Sequence, residues 1–505
     1  MNDLKLYSAA ACRDIDIRAM KSVAEGGLGM SGQTLMQRAA QFSLESLMSL
    51  RSELTALTIL CGKGNNAGDG YLVGMLARHL GIAVQLIAVA PKAQLSGDAL
   101  TACQRALEAG LELEDVSSDI RYPVIVDALL GTGAKGMPRP DLARAIDSIN
   151  ASNAFTLSLD LPSGINADTG EAQLAVRADA TVSFIARKIG LYTGHGPAHS
   201  GQRFFSNIGV AEEFAEGHAS VPLRRWHAGL LGALPVAAYK HQRGHVVVVG
   251  GCKGMGGAVA LSAEAALRSG AGMVTVATAP ENLAGLMARL PEAMWVDPLS
   301  RDQDQNFASV LSRASVVVLG PGLGRGAWAE QVLDAVSAFQ GPMVIDADGL
   351  YWLADQDTWR QRNLHGKPLF LTPHAAEAAR LLDRSVADVI NQTVQSVADM
   401  AGRYNATCLL KGPGTVMGDQ QSQAICGHGN PGMATAGMGD VLAGLAASLI
   451  AQQPDDMSDA FYTAALLHSA AGDLAAEEIG ERGVTATAVI ARVAALLREL
   501  PSVTG

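Results

Sequence analysis

Short apolar runs separated by longer mixed stretches organise this chain, and their spacing predicts alternating strands and helices. In the first half the runs are Thr55–Cys61, Val84–Val89, Val124–Val126, Phe155–Leu159 and Thr181–Ile185. In the second they are His245–Val249, Met273–Ala277, Val316–Leu319, Met343–Ile345, Leu369–Leu371 and Thr407–Leu410. Helical spacers between such runs predict parallel sheets with right-handed crossovers, an α/β chain in both halves. Thr415–Met417 and Gln423–Cys426 flank a polar stretch and predict a hairpin. The first twenty or so residues read as an added helix, and the chain from Asp459 onward as a long helical tail. Between the halves, 215–228 is polar and mixed, without a helical or strand period, and reads as a linker. The expected domains are 1–217 and 228–505. The halves share an architecture but no repeated motif.

Glycine-rich turns follow several of the predicted strands, where ligands of open α/β sheets bind. In the second half they are Gly250–Ala258, Pro321–Gly324 and Lys411–Thr415, and a further glycine-rich run, Asn430–Asp440, precedes the apolar helical segment Val441–Ile450. Free N–H groups at a helix start, backed by the helix dipole, form an anion site, and Gly437 and Gly439 allow close approach of a phosphate. Asp440 beside such a site is placed to take a proton from an attacking hydroxyl; the competing reading is a helix N-cap.

The first half carries Gly62–Gly70 between a strand and a predicted helix from Tyr71 to Leu80, the context of a phosphate loop. Asn65 and Asn66 add amide donors and acceptors, against a reading as turn formers. Asp69 competes with an N-cap reading. Asp127 and Asp160 end strands, and acids there point into the ligand crevice more often than into the core.

Composition narrows the class. The chain has 505 residues, enough for two sizeable α/β units, and 49% hydrophobic residues to fill their cores. A net charge of −11 offers no excess positive field for nucleic acid or an anionic membrane. Bound phosphates then depend on local N–H groups and single cations. The 6 cysteines have no metal spacing and read as buried free thiols in a reducing compartment. No targeting segment or membrane-length apolar span is visible, so the cytoplasm is the expected location.

On these motifs the region from about Leu230 onward resembles the ADP-dependent NAD(P)H-hydrate dehydratases of the ribokinase-like superfamily. The pieces are Gly250–Ala258, Pro321–Gly324, Asp346–Asp348, Thr372–His374, Lys411–Thr415 and Asn430–Asp440, in the family's order. Residues 1 to about 217 resemble the NAD(P)H-hydrate epimerase domain, a Rossmann-like three-layer fold, through Gly62–Gly70, Asp127–Met137 and Asp160–Gly164. The resemblance implies that Lys411, Gly412, Pro413, Gly414, Thr415 and Gly439 hold the adenine nucleotide. Ala258, Gly322, His374 and Asp440 would line the hydrated nicotinamide. In the epimerase half it implies dinucleotide contacts from Asn65, Asn66, Ala67, Gly68 and Asp69, and from Gly131, Thr132, Gly133, Ala134, Lys135, Gly136 and Met137, with Asp160 at the reacting ring. Asn66, Asp127 and Ser163 would hold a monovalent cation, K⁺. The family loop usually has glycine where this chain has Ala67, a departure that matters only if the position needs positive φ.

The resemblance further implies ADP as co-substrate, Mg²⁺ alongside it, and catalysis by Asp160 and Asp440. His374 reads either as a substrate-positioning or proton-donating group or as a buried structural histidine. A ribokinase-type small-molecule kinase and a non-catalytic dinucleotide-binding protein are the rival functions, the first disfavoured by the attached epimerase-like half and the second by the presence of both aspartates. The sequence leaves the oligomeric state open, a homo-oligomer included.

Overall fold

The computed structural model describes residues 3–234, 237–300, 306–355 and 366–498. Apart from Ile390–Gln392, the chain divides into compact units at Pro222 and Leu223.

The first unit is built on a parallel sheet of 7 strands. Its order is Leu113–Asp115, Ala83–Ala88, Ala56–Cys61, Val124–Ala128, Phe155–Leu159, Ala180–Phe184 and Gln202–Ser206. The edge strands Leu113–Asp115 and Gln202–Ser206 escaped the sequence reading because they are short or half-polar. Apolar layers cover both faces. Leu57, Ile59, Val126 and Leu157 pack on one side, and Leu60, Ile87 and Ile125 pack on the other against Leu142, Ile146 and Ile149. The order reverses between Ala56–Cys61 and Val124–Ala128. Chain crossovers leave opposite faces there, so a crevice opens beyond the strand ends. At the N-terminus the expected helix is present as Ala9–Met20, capped by Ser8. It is preceded by the short strand Leu4–Tyr7, which pairs parallel with Arg187–Lys188.

In the second unit the parallel order is Met294–Val296, Met273–Ala277, His245–Val249, Val316–Leu319, Met343–Ile345, Leu369–Leu371 and Ala406–Leu410. Val416–Gly418 and Gln423–Cys426 then form the expected antiparallel hairpin, with Gly418 opposite Gln423. Here the order reverses between His245–Val249 and Val316–Leu319. The helices Gly256–Arg268, Met438–Gln452 and Met457–Ile479 contribute much of this unit's apolar core. Gly444 is required where two of them meet, since a Cβ there would run into the Ser262 carbonyl. The linker reading needs correction: Ser220–Arg224 is a strand, and Leu223 and Arg224 pair with Ile425 and Cys426. Its polarity misled because Arg224 is satisfied by Asp459, 2.8 Å away. Among the described residues, no helix is long and apolar enough to cross a membrane.

Candidate active sites

In the first unit a cleft of about 800 Å³ opens at the switch point. Its floor is formed where the loop after Cys61 meets the loop after Ala128. The helix beyond Cys61 starts earlier than the sequence suggests, at Asn65, with Gly64 as its N-cap and no side-chain cap. Asn65 and Asn66 therefore present the first turn of a helix rather than a free loop. Asp69 lies inside that helix, which removes its N-cap reading. Asn65, Asn66, Asp69, Gly131, Thr132, Gly133, Ala134 and Asp160 all line the cleft. Ala67 and Gly68 instead face the core, where a Cβ on Gly68 would stand 2.6 Å from the Met36 sulfur. Ala67 is helical, so its departure from glycine needs no positive φ. Lys135, Gly136 and Met137 lie outside the walls, and Met137 is 63% exposed.

Beneath the floor, Asp127 is fully buried. It accepts hydrogen bonds from Ser158 Oγ at 2.7 Å, Ser163 N at 2.9 Å, Ser163 Oγ at 2.6 Å and Leu129 N at 3.2 Å. Burial raises its pKa despite these donors. Asn66 Nδ2 donates to the Leu130 carbonyl at 2.8 Å, and Ser163 Oγ accepts from Leu130 N at 2.8 Å. Asn66 Oδ1 is buried without a hydrogen-bond partner. Asn66, Asp127 and Ser163 are thus brought together around the Leu130 backbone.

Asp160 follows its strand with a φ of 66°, a left-handed conformation uncommon outside glycine and frequent at functional sites. Its Oδ1 accepts from the buried Lys188 ammonium. Asp16 lines the same cleft. Burial, then the charges of Asp160 and Asp16, push the Asp69 carboxyl well above the usual range, against the opposing effect of Lys188. Sequence reasoning passed over Lys188 and Asp16. The available signal was a lysine a few residues past the buried strand ending at Phe184.

The second site is assembled at the other switch point. Gly251 N donates to the Pro321 carbonyl at 2.9 Å and Cys252 N to the Gly322 carbonyl at 2.7 Å, which locks the two loops together. Gly322 has a φ of 57°, and a Cβ there would stand 3.3 Å from the Ala258 Cβ. Gly324 N donates to Asp348 at 2.9 Å, tying these loops to the turn that carries Asp346.

Asp346 is buried and accepts from Thr372 Oγ1 and Lys411 Nζ, each at 2.8 Å. Glu377 lies 3.9 Å from the same ammonium. Burial by itself lowers the Lys411 pKa, but Asp346, Glu377 and Asp440 outweigh it and raise it. The helix Met438–Gln452 opens beside this pair. Gly437, with a φ of 87°, is its N-cap, and no side chain caps it. Asp440 sits in the first turn of that helix, so the N-cap reading fails here too. A Cβ on Gly439 would lie 3.2 Å from both Asp346 Oδ2 and Lys411 Nζ, which places the glycine against the charged pair. Burial, then the Asp346 carboxylate, raise the Asp440 pKa to about 7, with Lys411 pulling the other way. In the preceding loop Gly414 has a φ of 70°, Gly412 and Pro413 are exposed, and Thr415 Oγ1 donates to the Gly412 carbonyl at 3.2 Å.

His374 is not the buried histidine the sequence allowed. It is exposed and caps the helix Ala375–Leu382, its Nδ1 accepting from Ala376 N at 3.1 Å and Glu377 N at 3.3 Å. Burial of part of the ring and the nearby Lys411 charge lower its pKa. Asp346 and Glu377 had no role in the sequence reading, although Asp346 stood in a quoted motif. A strand-ending acid is visible in sequence, but its pairing with Lys411 across 65 residues is not.

A family model described as NAD(P)H-hydrate dehydratase matches residues 246–494, and one described as YjeF-related protein N-terminus matches residues 32–190. The bifunctional NAD(P)H-hydrate repair enzyme Nnr of Coxiella burnetii is 39% identical over 490 residues, covering 95% of this chain and 97% of that protein. Its counterpart from Escherichia coli is 37% identical over 484 residues, covering 94% and 91%. A solved ribokinase-like superfamily protein from Enterococcus faecalis is 30% identical, covers 55% of this chain and 96% of its own, and superposes with a TM-score of 0.48. Taking the near full-length relatives with the matches on either side of the division, the chain belongs to the family of bifunctional NAD(P)H-hydrate repair enzymes.

Proposed function

We propose that the first unit interconverts the R and S hydrates of NADH or NADPH, and that the second dehydrates the S form while ADP becomes AMP and phosphate. The assigned domains are 1–217 and 228–505. The observation that carries the second activity is Asp440, with a pKa of about 7, in the first turn of an uncapped helix beside Lys411 and Asp346. A base poised near neutral pH takes the proton of the ring hydroxyl as that oxygen attacks the β-phosphorus of ADP, and AMP leaves. The helix-start N–H groups at Gly437 and Gly439 stabilise the charge gathering on the phosphoryl oxygens. Phosphate then leaves the ring with the bonding pair, and the neighbouring carbon gives up a proton, which restores the reduced nicotinamide.

Lys411–Thr415 and Gly439 suit the nucleotide phosphates: a partly buried cation, a left-handed glycine and a position kept free of Cβ. Ala258 and Gly322 offer a small-residue wall for the nicotinamide. His374 turns its outer ring nitrogen, 3.4 Å from Glu377 Oε1, toward substrate, since Nδ1 is held by the helix start. Among the described residues no group of three or more His, Cys, Asp or Glu side chains is arranged to hold a metal ion. We assign Mg²⁺ to the nucleotide's phosphates, whose charge it neutralises.

In the epimerase unit, Asp160 is the proton carrier at the ring. The partnerless Asn66 Oδ1, with Asp127, Ser163 and the Leu130 carbonyl nearby, is an oxygen set suited to a weakly demanding cation such as K⁺. When bound, K⁺ supplies positive charge beneath the cleft floor; Asn65, Asp69 and Gly131–Ala134 contact the dinucleotide above it.

The test is recovery of reduced-nicotinamide absorbance from mixed hydrated NADH epimers with Mg²⁺ and K⁺, comparing ADP with ATP. Full recovery with ADP, faster than spontaneous epimerisation allows, is expected. Recovery of the S fraction alone would remove the epimerase assignment. No recovery with either nucleotide would leave a kinase.

A further inference from the structure

The cleft of the first unit holds a buried charge that the proposed chemistry does not use. Lys188 follows the strand Ala180–Phe184, pairs in register with Tyr7, and is 3% exposed. An ammonium has three N–H donors and is rarely buried unless each finds an acceptor. Lys188 finds all of them: Asp160 Oδ1, Ser183 Oγ at 3.2 Å and the Phe184 carbonyl at 2.8 Å. Two of these acceptors come from the strand that precedes the lysine, so its ammonium is anchored independently of Asp160. Asp160 is in turn fixed by its left-handed backbone and by its N–H donating to the Val182 carbonyl at 2.7 Å. Its other oxygen, Oδ2, faces the cleft loop, where a Cβ on Gly131 would stand 3.7 Å away.

We infer that Lys188 is a positioning residue of the epimerase site, a fixed counter-ion that holds Asp160 by Oδ1 and leaves its other oxygen turned to the substrate. This rests on the epimerase reading above. The surroundings explain why a counter-ion is needed. Asp16 and Cys12 face the pair from the helix Ala9–Met20, Asp69 from the helix Asn65–His79, and Asp98 and Asp168 add negative charge further out. These carboxylates without a cation would repel one another, Asp160 included. Lys188 is committed to Asp160, while burial and the charges of Asp160 and Asp16 raise the Asp69 pKa.

The experiment follows equilibration of a single hydrated NADH epimer in the absence of ADP, across pH, for the full chain and its Lys188→Met, Lys188→Gln and Lys188→Arg variants. Loss of the charge in Lys188→Met is expected to lower kcat at neutral pH about 100-fold with little change in KM. The acidic limb of its pH profile should move up by about one unit or more, because the carboxylate at the reacting ring has lost its adjacent cation. Lys188→Arg should recover much of both. Lys188→Gln keeps length and donors without charge and gives the same shift if the methionine variant fails to fold. A neutral variant with the wild-type profile overturns the inference, as does one whose rate drops without any movement of the limb. If the wild-type chain itself does not equilibrate the epimers, the epimerase reading fails and this inference falls with it.

Discussion

Both sites set a strand-ending carboxylate against a lysine, Asp160 with Lys188 and Asp346 with Lys411. In the first the lysine holds the very acid assigned to the chemistry. In the second it holds Asp346, and the working acid, Asp440, is left beside that pair. The electrostatic consequences run in opposite directions. A carboxylate bonded directly to a cation is favoured in its charged form. Asp440 is pushed toward its neutral form, first by burial and then by the Asp346 carboxylate against the pull of Lys411, and rises to about 7. The same pair of residue types thus positions the working acid in one unit and tunes a third group in the other.

Asp440→Asn gives the largest test of this contrast. Dehydration should fall by about 10³-fold or more while epimerisation is unchanged, since the acid serves one unit only. Loss of neither activity, measured on the same preparation, would sink the assignment.

Lys411→Met asks whether the second lysine supports structure as well as chemistry. It would strand Asp346, fully buried and bonded to Thr372, as an uncompensated charge. A loss of roughly 2–4 kcal/mol in urea unfolding is expected, below that for a fully enclosed pair because Lys411 keeps 22% side-chain exposure. Lys411 also lowers the Asp440 pKa, so the acidic limb of the dehydratase profile, expected near pH 7 in the wild type, should move higher. A limb that stays in place would show that Asp440 does not feel the pair.

Stability should carry the same signature. The folded pKa of Asp440, about 7, exceeds its ordinary 3.8, so the folded state binds the extra proton between these values. Its contribution is fully present below about pH 4 and is lost as pH rises through 7. Asp440→Asn has no such loss. It should therefore be more stable than wild type at pH 8, on the order of 1–3 kcal/mol, with the advantage gone at pH 4. Melting curves at the two pH values read it directly.

Smaller effects belong to the cradles. A Cβ from Gly439→Ala, 3.2 Å from both charged groups, should raise the KM for ADP about tenfold and leave epimerisation alone. Replacing K⁺ by Li⁺ should slow epimerisation a few-fold and spare dehydration, because Asn66, Asp127 and Ser163 lie in the first unit only. Equal sensitivity of both activities would place the cation elsewhere.

Much of the architecture could be read from the chain because buried parallel strands announce themselves as apolar runs. Val316–Leu319, Met343–Ile345 and Leu369–Leu371 were bounded to the residue in this way. Ser220–Arg224 was missed because the charge of Arg224 is met by Asp459, far along the chain. Asp69 and Asp440 were open to an N-cap reading because a helix start is hard to place among glycines. The helices start before both acids, at Asn65 and Met438, which puts Asp69 past the first turn of one and Asp440 inside the first turn of the other. His374 could not be judged exposed or buried from Thr372 and Pro373 alone.

The sequence by itself determined two α/β units, the glycine turns at their strand ends, and the acids and amides those turns carry, since these follow from local periodicity and backbone freedom. Only the tertiary structure decided which charges meet. Lys188 reaches Asp160 across 28 positions and Lys411 reaches Asp346 across 65. The energy of an ion pair depends on distance and burial, which a sequence does not record and the order of strands in a sheet creates.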